Sequence, residues 1–237
     1  MPLWLGWTLA LLVAAGFARL GFWQLARMHE KEALLASVQA VLAQRVPRPL
    51  ALAGDASRAG EIDWAAGRGR FADAPAVLLD NQSRNDRPGV RAYRVFLPDA
   101  AGVAPLLVEL GWLPLPGDRA MPRVAPIHGD IDVRGLLLPP PSPGLVAATA
   151  NRASPDAVLA TALDAPQLPP LLGERTLAPR VLRLDPSMKG IGYARDLDVL
   201  PNTLPPSRHL GYAVQWFALA AAVLATAGVL TFRKPRA

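Results

Sequence analysis

Apolar residues gather at the two ends of this chain, and between the ends they come in short runs broken by turn residues. The first terminal run reads Leu3-Trp-Leu-Gly-Trp-Thr-Leu-Ala-Leu-Leu-Val-Ala-Ala-Gly-Phe-Ala18, is interrupted by Arg19, and resumes to Leu25. The second spans Leu210 to Phe232, carries no charge, and has Gln215 as its one strongly polar side chain. A membrane-crossing helix needs about 20 mostly apolar residues, and both runs are long enough. Trp4, Trp7, Trp23, Tyr212 and Trp216 lie near the run ends, where an aromatic belt would hold them. Gly16 and Ala18 also suit a cleaved signal peptide. No basic residue precedes the first run, however, and it continues past Arg19, so an uncleaved anchor is the expectation.

The interior of the chain changes period. From Trp23 to Gln44 there is no Gly or Pro, and Met28, Leu35, Val38 and Leu42 form a helical stripe that Pro47 and Pro49 end. Beyond Pro49, strands are predicted at Gly67–Phe71, Ala76–Asn81, Val90–Phe96, Pro105–Trp112, Asp130–Leu138 and Arg180–Leu184. Asp99-Ala-Ala-Gly102 reads as a hairpin turn, and Pro139-Pro-Pro-Ser-Pro143 as a stiff connector. Ser154, as N-cap before Pro155, predicts a short helix ending near Leu163. The expected fold is a membrane α+β protein, with two transmembrane helices flanking a β-rich domain built as a small antiparallel sheet or barrel. The expected divisions are 1–31 for the first span and its extension, 32–208 for the domain, and 209–237 for the second span and basic tail.

Composition narrows the function. Of 237 residues, 51% are hydrophobic and 19% charged, with 25 prolines and no cysteine. The charged share of an ordinary soluble domain is about 25%, and the two apolar runs account for the difference. Without cysteine there is no disulfide frame, thiolate metal site or cysteine nucleophile. The net charge of +6 raises nucleic acid as a partner, but the basic residues are scattered and no aromatics interleave with them, so a lipid membrane is the expected partner instead. Charge leaves orientation open: Arg233, Lys234 and Arg236 favour a cytoplasmic C-terminus, whereas Arg27, Lys31, Arg45 and Arg48 pull the middle inward. The first run begins almost at Met1, so no organelle transit peptide is expected, and a bacterial plasma membrane is the simplest home.

Candidate chemistry is sparse. No zinc-protease helix motif, nucleophile elbow or phosphate loop is present, which makes an enzyme the weaker reading. An anchored enzyme would have to draw on Asp80, Asp86 or Glu109. His29 and His209 both lie at the domain-facing end of a span, where an imidazole can ligate haem iron or merely anchor at the headgroups; His128 lies in a turn. Arg68, Arg70, Arg84, Arg87, Arg91 and Arg94 either grip carboxylates such as haem propionates or form a solvated strand face.

Two strings carry a resemblance. Leu20-Gly-Phe-Trp-Gln-Leu-Ala-Arg27, followed by Lys31, resembles the first-span signature of the Surfeit-locus-one (Surf/Shy) family, and Arg208-His-Leu-Gly-Tyr-Ala-Val-Gln-Trp-Phe-Ala218 resembles its second-span signature. Leu79-Asp-Asn81, Gly89-Val-Arg-Ala-Tyr93 and Gly111-Trp-Leu-Pro114 follow in the family's order. Where the family has Asn-Arg before Gly-Trp, this chain has Glu109-Leu110, and residues 140–185 show no match.

The resemblance implies a cytochrome c oxidase assembly factor, not an enzyme, serving subunit I at the haem a stage alongside the haem a synthesis machinery. It implies a large domain in the periplasm. It implies His209 as haem-iron ligand, with Tyr212, Gln215 and Trp216 on one helix face and Trp23 and Gln24 meeting that face. The alternative is a non-haem membrane scaffold that stabilises a subunit I intermediate.

Overall fold

The computed structural model of the chain describes residues 2–118, 120–141, 147–164, 166–200 and 203–232. The connector at Pro139–Pro143 falls partly, and the basic tail after Phe232 wholly, outside them. The elements run α1 (Leu3–Gln44), β1 (Arg48–Pro49), two 3-10 turns (Leu50–Gly54 and Ala56–Arg58), β2 (Asp63–Phe71), β3 (Ala76–Arg84), β4 (Arg87–Pro98) and β5 (Leu106–Pro114). There follow β6 (Asp130–Leu138), β7 (Ala150–Ser154), β8 (Ala157–Ala160), α2 (Leu168–Leu171), β9 (Val181–Leu184) and α3 (Pro206–Phe232). The chain divides into two compact units, one of residues 1–37 with 203–237 and one of residues 38–202.

The helical unit holds the two helices that are long and apolar enough to cross a membrane. α1 is one helix of 42 residues, because nothing between Trp23 and Gln44 breaks it. It ends where Arg45 turns left-handed (φ 46°), ahead of Pro47 and Pro49. α1 and α3 pair antiparallel. Phe17 stacks on Trp216 with ring centroids 5.6 Å apart, and Phe22 meets Phe217 edge-on at 5.1 Å. Trp7 donates from Nε1 to Thr231 Oγ1 at 3.1 Å. Gly21 makes room for this packing, since a Cβ there would lie 2.7 Å from the Phe217 ring. Most other large apolar side chains of the pair are exposed, as lipid-facing residues are.

The second unit is a nine-stranded sheet in the order β1-β2-β6-β9-β5-β4-β3-β8-β7. β4 uses one edge twice: its first part pairs with β3, and its end, Phe96–Pro98, pairs with Gly69–Phe71 of β2. That second pairing closes β2, β6, β9, β5 and β4 into a ring, so the sheet is a small barrel with β3, β8 and β7 as an extension. Most pairings are antiparallel as expected, but β1–β2, β3–β8 and β5–β9 are parallel. Gly135 lets β6 and β9 approach, because a Cβ there would lie 1.9 Å from Arg183 O.

Alternation puts consecutive residues on opposite faces. Ala65, Leu78, Phe96, Leu106, Val108, Leu137 and Leu182 fill one apolar cluster. Their neighbours Trp64, Val77, Leu79, Val95, Leu107, Leu136 and Val181 fill another, covered by Val38, Leu163, Leu168 and Leu172. Both faces are therefore buried, which is why these strands read as nearly continuous apolar runs.

Five predicted strands appear with ends extended or trimmed, and β6 runs from Asp130 to Leu138 as read. The Asp99–Gly102 turn joins β4 to β5. The helix expected after Ser154 is wrong: β7 and β8 form a hairpin around Pro155-Asp156, and β8 adds parallel to β3. Ser-Pro-Asp satisfies a helix start and a tight turn equally, since both want φ near −65° at the proline. The four apolar residues Ala157–Ala160 then gain more by completing a sheet than by forming a one-turn helix.

Candidate functional site

The site begins at the end of the helix pair where α3 starts. His209 is 7% exposed, and it is the buried polar side chain of this unit among the described residues. It arrives there because α3 begins at Pro206, a favoured first-turn residue, which puts His209 in the first turn of the span. Its Nδ1 lies 2.7 Å from Oε1 of Gln24 on α1. The Gln24 oxygen can only accept, so Nδ1 carries the proton and Nε2 carries the lone pair. Nε2 is buried and has no hydrogen-bond partner. Nearby, Lys31 Nζ donates to the carbonyl of Leu204, tying the chain before α3 to α1.

An imidazole fixed through Nδ1, with Nε2 free, is the arrangement of a metal-ligating histidine whose second nitrogen is held by an outer partner. Leaving a buried ring nitrogen unpartnered is costly, and an iron atom is the kind of group that would satisfy it. A histidine held in this way fits a haem iron, which Nε2 would ligate. Among the described residues no group of three His, Cys, Asp or Glu could hold a bare metal ion.

The other named residues have separate surroundings. Gln24 meets His209 directly. Trp216 is half-buried on Phe17. Tyr212 and Gln215 are exposed, as is Trp23, whose ring lies 5.8 Å from the guanidinium of Arg27 along its own helix. His29 is exposed and pairs with Glu32 at 3.3 Å, in keeping with an anchor. Phe17 and Phe217 were not anticipated; an aromatic residue in an apolar run gives no sign of which neighbour it faces.

The arginine set divides. Arg68 stays exposed between Asp99 and Asp130, and Arg84 pairs with Asp196 at 3.0 Å. Arg91 and Arg94 are buried. Glu109 is fully engaged by its neighbours. It is buried between Arg91 and Arg183, and it accepts from Arg183 Nε at 2.9 Å and from Tyr93 Oη at 3.1 Å. Burial first, and the Glu109 charge second, raise the Tyr93 phenol well above its ordinary value. Asp86 sits with Asn85 at the β3–β4 tip, both at positive φ (58° and 51°), where the hairpin turn requires that backbone. Asp80 accepts from the backbone N–H of Asn81.

A second buried carboxylate, Asp63, accepts from Arg180 at 2.7 Å and from Arg58 at 3.0 Å. Burial opposes its ionisation, but the Arg180 and Arg58 hydrogen bonds outweigh it and hold the carboxyl below its ordinary value. These clusters pair the buried charges inside the barrel. The model of the SURF1 family matches residues 11–221, which takes in most of α1, the whole sheet unit and the first part of α3. No curated protein matches the chain.

Proposed function

The chain belongs to the SURF1 family, the Surf1/Shy1 factors of cytochrome c oxidase assembly, and from that premise we propose that it assists haem a insertion into subunit I, with His209 as a haem-iron ligand. Its general role in oxidase assembly follows from the family, whose members are generally non-catalytic. The observation that carries the finer reading is the His209 ring: Nδ1 is held by Gln24 and Nε2 is buried without a partner. Bound there, the haem would supply an iron that takes the Nε2 lone pair. Gln24 fixes the tautomer and keeps the ring from turning.

Transfer to subunit I requires that the haem be held and then released, so one protein ligand from a helix end suits the task. The reading places the protein in a bacterial inner membrane, with the sheet unit in the periplasm; the basic residues after Phe232 support a cytoplasmic C-terminus.

The test is to produce the full chain with haem a and record its absorption spectrum and haem stoichiometry. Binding that is lost in His209→Ala, with the purified variant still folded, supports the ligand role. An unchanged spectrum and stoichiometry in His209→Ala would sink it. Co-purification with subunit I but without haem would instead favour a scaffold.

A further inference from the structure

Four arginines of the sheet unit are buried: Arg91, Arg94, Arg180 and Arg183. Three have a carboxylate within salt-bridge distance, Arg91 and Arg183 on Glu109 and Arg180 on Asp63. Arg94 is the exception. It is 6% exposed, yet no carboxylate pairs with it among the described residues. Its Nη1 donates to Ala74 O at 3.0 Å and its Nη2 to Val124 O at 2.8 Å, both neutral carbonyls, and its Nε has no partner. Asp156 and Asp73 act on its charge only from beyond ion-pair distance. Burying a charge without a direct ion pair is costly, and in this protein the other three avoid that cost.

Arg94 also differs in where it lies. It lines a cleft of about 900 Å³ bounded by the β2–β3 turn (Asp73–Pro75), the β7–β8 turn (Ser154–Ala157) and the irregular run Met121–His128. Arg123 and His128 are exposed at this cleft, and so are Asp73 and Asp156. Tyr193 faces it too, its hydroxyl accepting from the backbone N–H of Ala125 at 3.2 Å. Arg123 and His128 would attract an anion toward Arg94. Asp73 and Asp156 would repel a second negative charge, which disfavours a dianion such as phosphate. Pro75, Met121 and Pro122 give the cleft an apolar share, and its volume lies in the range of small-molecule sites.

We propose that this cleft binds a carboxylate monoanion, which supplies the direct ion pair that Arg94 lacks and the other buried arginines already have. The carboxylate belongs either to a small organic acid or to the free C-terminus of a polypeptide. The site is independent of the haem reading. It lies wholly in the sheet unit and uses none of the helix residues.

The experiment follows the ¹⁵N resonance of the Arg94 Nε–H in the full chain in detergent micelles. Sodium acetate is titrated against sodium chloride at matched ionic strength. A saturable shift with acetate only is expected, with the Val124 and Ala125 amides moving in parallel. Arg123→Ala, an exposed change that preserves folding, should weaken acetate binding by about threefold, the scale of a partly screened charge contact. In Arg94→Gln the Val124 and Ala125 responses should vanish. An acetylated tetra-alanine with a free C-terminus, run beside its C-terminal amide, separates the sources. At least tenfold tighter binding than acetate, lost in the amide, assigns a polypeptide; equal or weaker binding assigns a small acid. Identical responses to acetate and chloride, tighter binding of inorganic phosphate than of acetate, or an unchanged response in folded Arg94→Gln would each overturn the proposal.

Discussion

The two units treat buried polarity in opposite ways. In the sheet unit, charge is buried in clusters, and Glu109 and Asp63 each serve two or more arginines. In the helix pair a single neutral ring is buried, with one nitrogen satisfied and the other not. The difference follows from the surroundings. A barrel core dry on both faces favours paired ions, and Arg94 is the one buried arginine there without an ion pair among the described residues. A helix pair in lipid has fewer partners to offer, so an unpartnered atom there marks where something else is expected to bind.

The sharpest way to break this contrast is to remove the counter-charge shared in the sheet. Glu109→Ala leaves Arg91 and Arg183 buried without a carboxylate and Tyr93 without its acceptor. The expected loss is about 3–5 kcal/mol of unfolding free energy, read from urea unfolding of the full chain in micelles. A loss below about 1 kcal/mol would mean that the barrel interior is wetter than its packing indicates.

Acid tests the same clusters more gently. Asp63 and Asp185 both have carboxyls held below the ordinary value of 3.8. For Asp185 burial opposes ionisation, and hydrogen bonds from Ser187 and Arg134 overcome it. A group whose folded value is depressed contributes stability that is complete above its unfolded value. That contribution is lost as pH falls through the folded value. The urea midpoint of the sheet unit should therefore be flat above about pH 5 and fall below about pH 4. Asp63→Asn should reduce the slope of that limb; an unchanged slope would remove Asp63 from the account. Each charge-assisted contact is worth on the order of 1.5–3 kcal/mol.

How much of this was legible in the sequence depends on range. The pattern of short apolar runs between turn residues located six strands, because a strand buried on both faces is marked by its own residues. It failed at Ser154–Leu163, where a local signal serves two structures and the deciding partner, β3, lies far back in the chain. Glu109 stood out as a candidate acid and as a departure from the family pattern, not as an ion-pair centre; Arg183, which pairs with it, is 74 residues away and has no local mark. In the helix pair, His209 was visible from the motif around it, and Gln24 from the paired motif of α1. What no string of residues shows is that Trp23 turns toward Arg27 while its neighbour Gln24 turns toward α3, a consequence of the 100° step between adjacent helical residues.

Within the helix pair, Gly21→Leu should cost on the order of 1–2 kcal/mol. The new side chain meets the Phe217 ring, which has to leave its edge contact with Phe22. Because this change affects the packing of the spans and no ion pair, the acid limb of the sheet unit should keep its slope. Tryptophan fluorescence of the helix pair reads the first effect and the urea midpoint against pH reads the second. A changed acid limb would show that the units unfold as one.

The smallest expected effect completes the contrast. Trp7→Phe deletes the Nε1 donor to Thr231 while keeping an aromatic ring. Thr231 Oγ1 still donates to the carbonyl of Ala227 at 2.8 Å along its own helix, so no polar atom is orphaned. Hydrogen bonds between helices in lipid average about 0.6 kcal/mol when measured by paired substitutions, and the loss should be near that figure. The reason is the reverse of the Glu109 case. There, one deletion strands two charges; here, the deleted partner leaves behind a group that is already satisfied. A loss above about 2 kcal/mol in Trp7→Phe, by reversible unfolding in micelles, would mean that the interhelical bond carries energy that the Ala227 contact does not replace. The helix pair would then resemble the sheet in depending on every polar contact it makes.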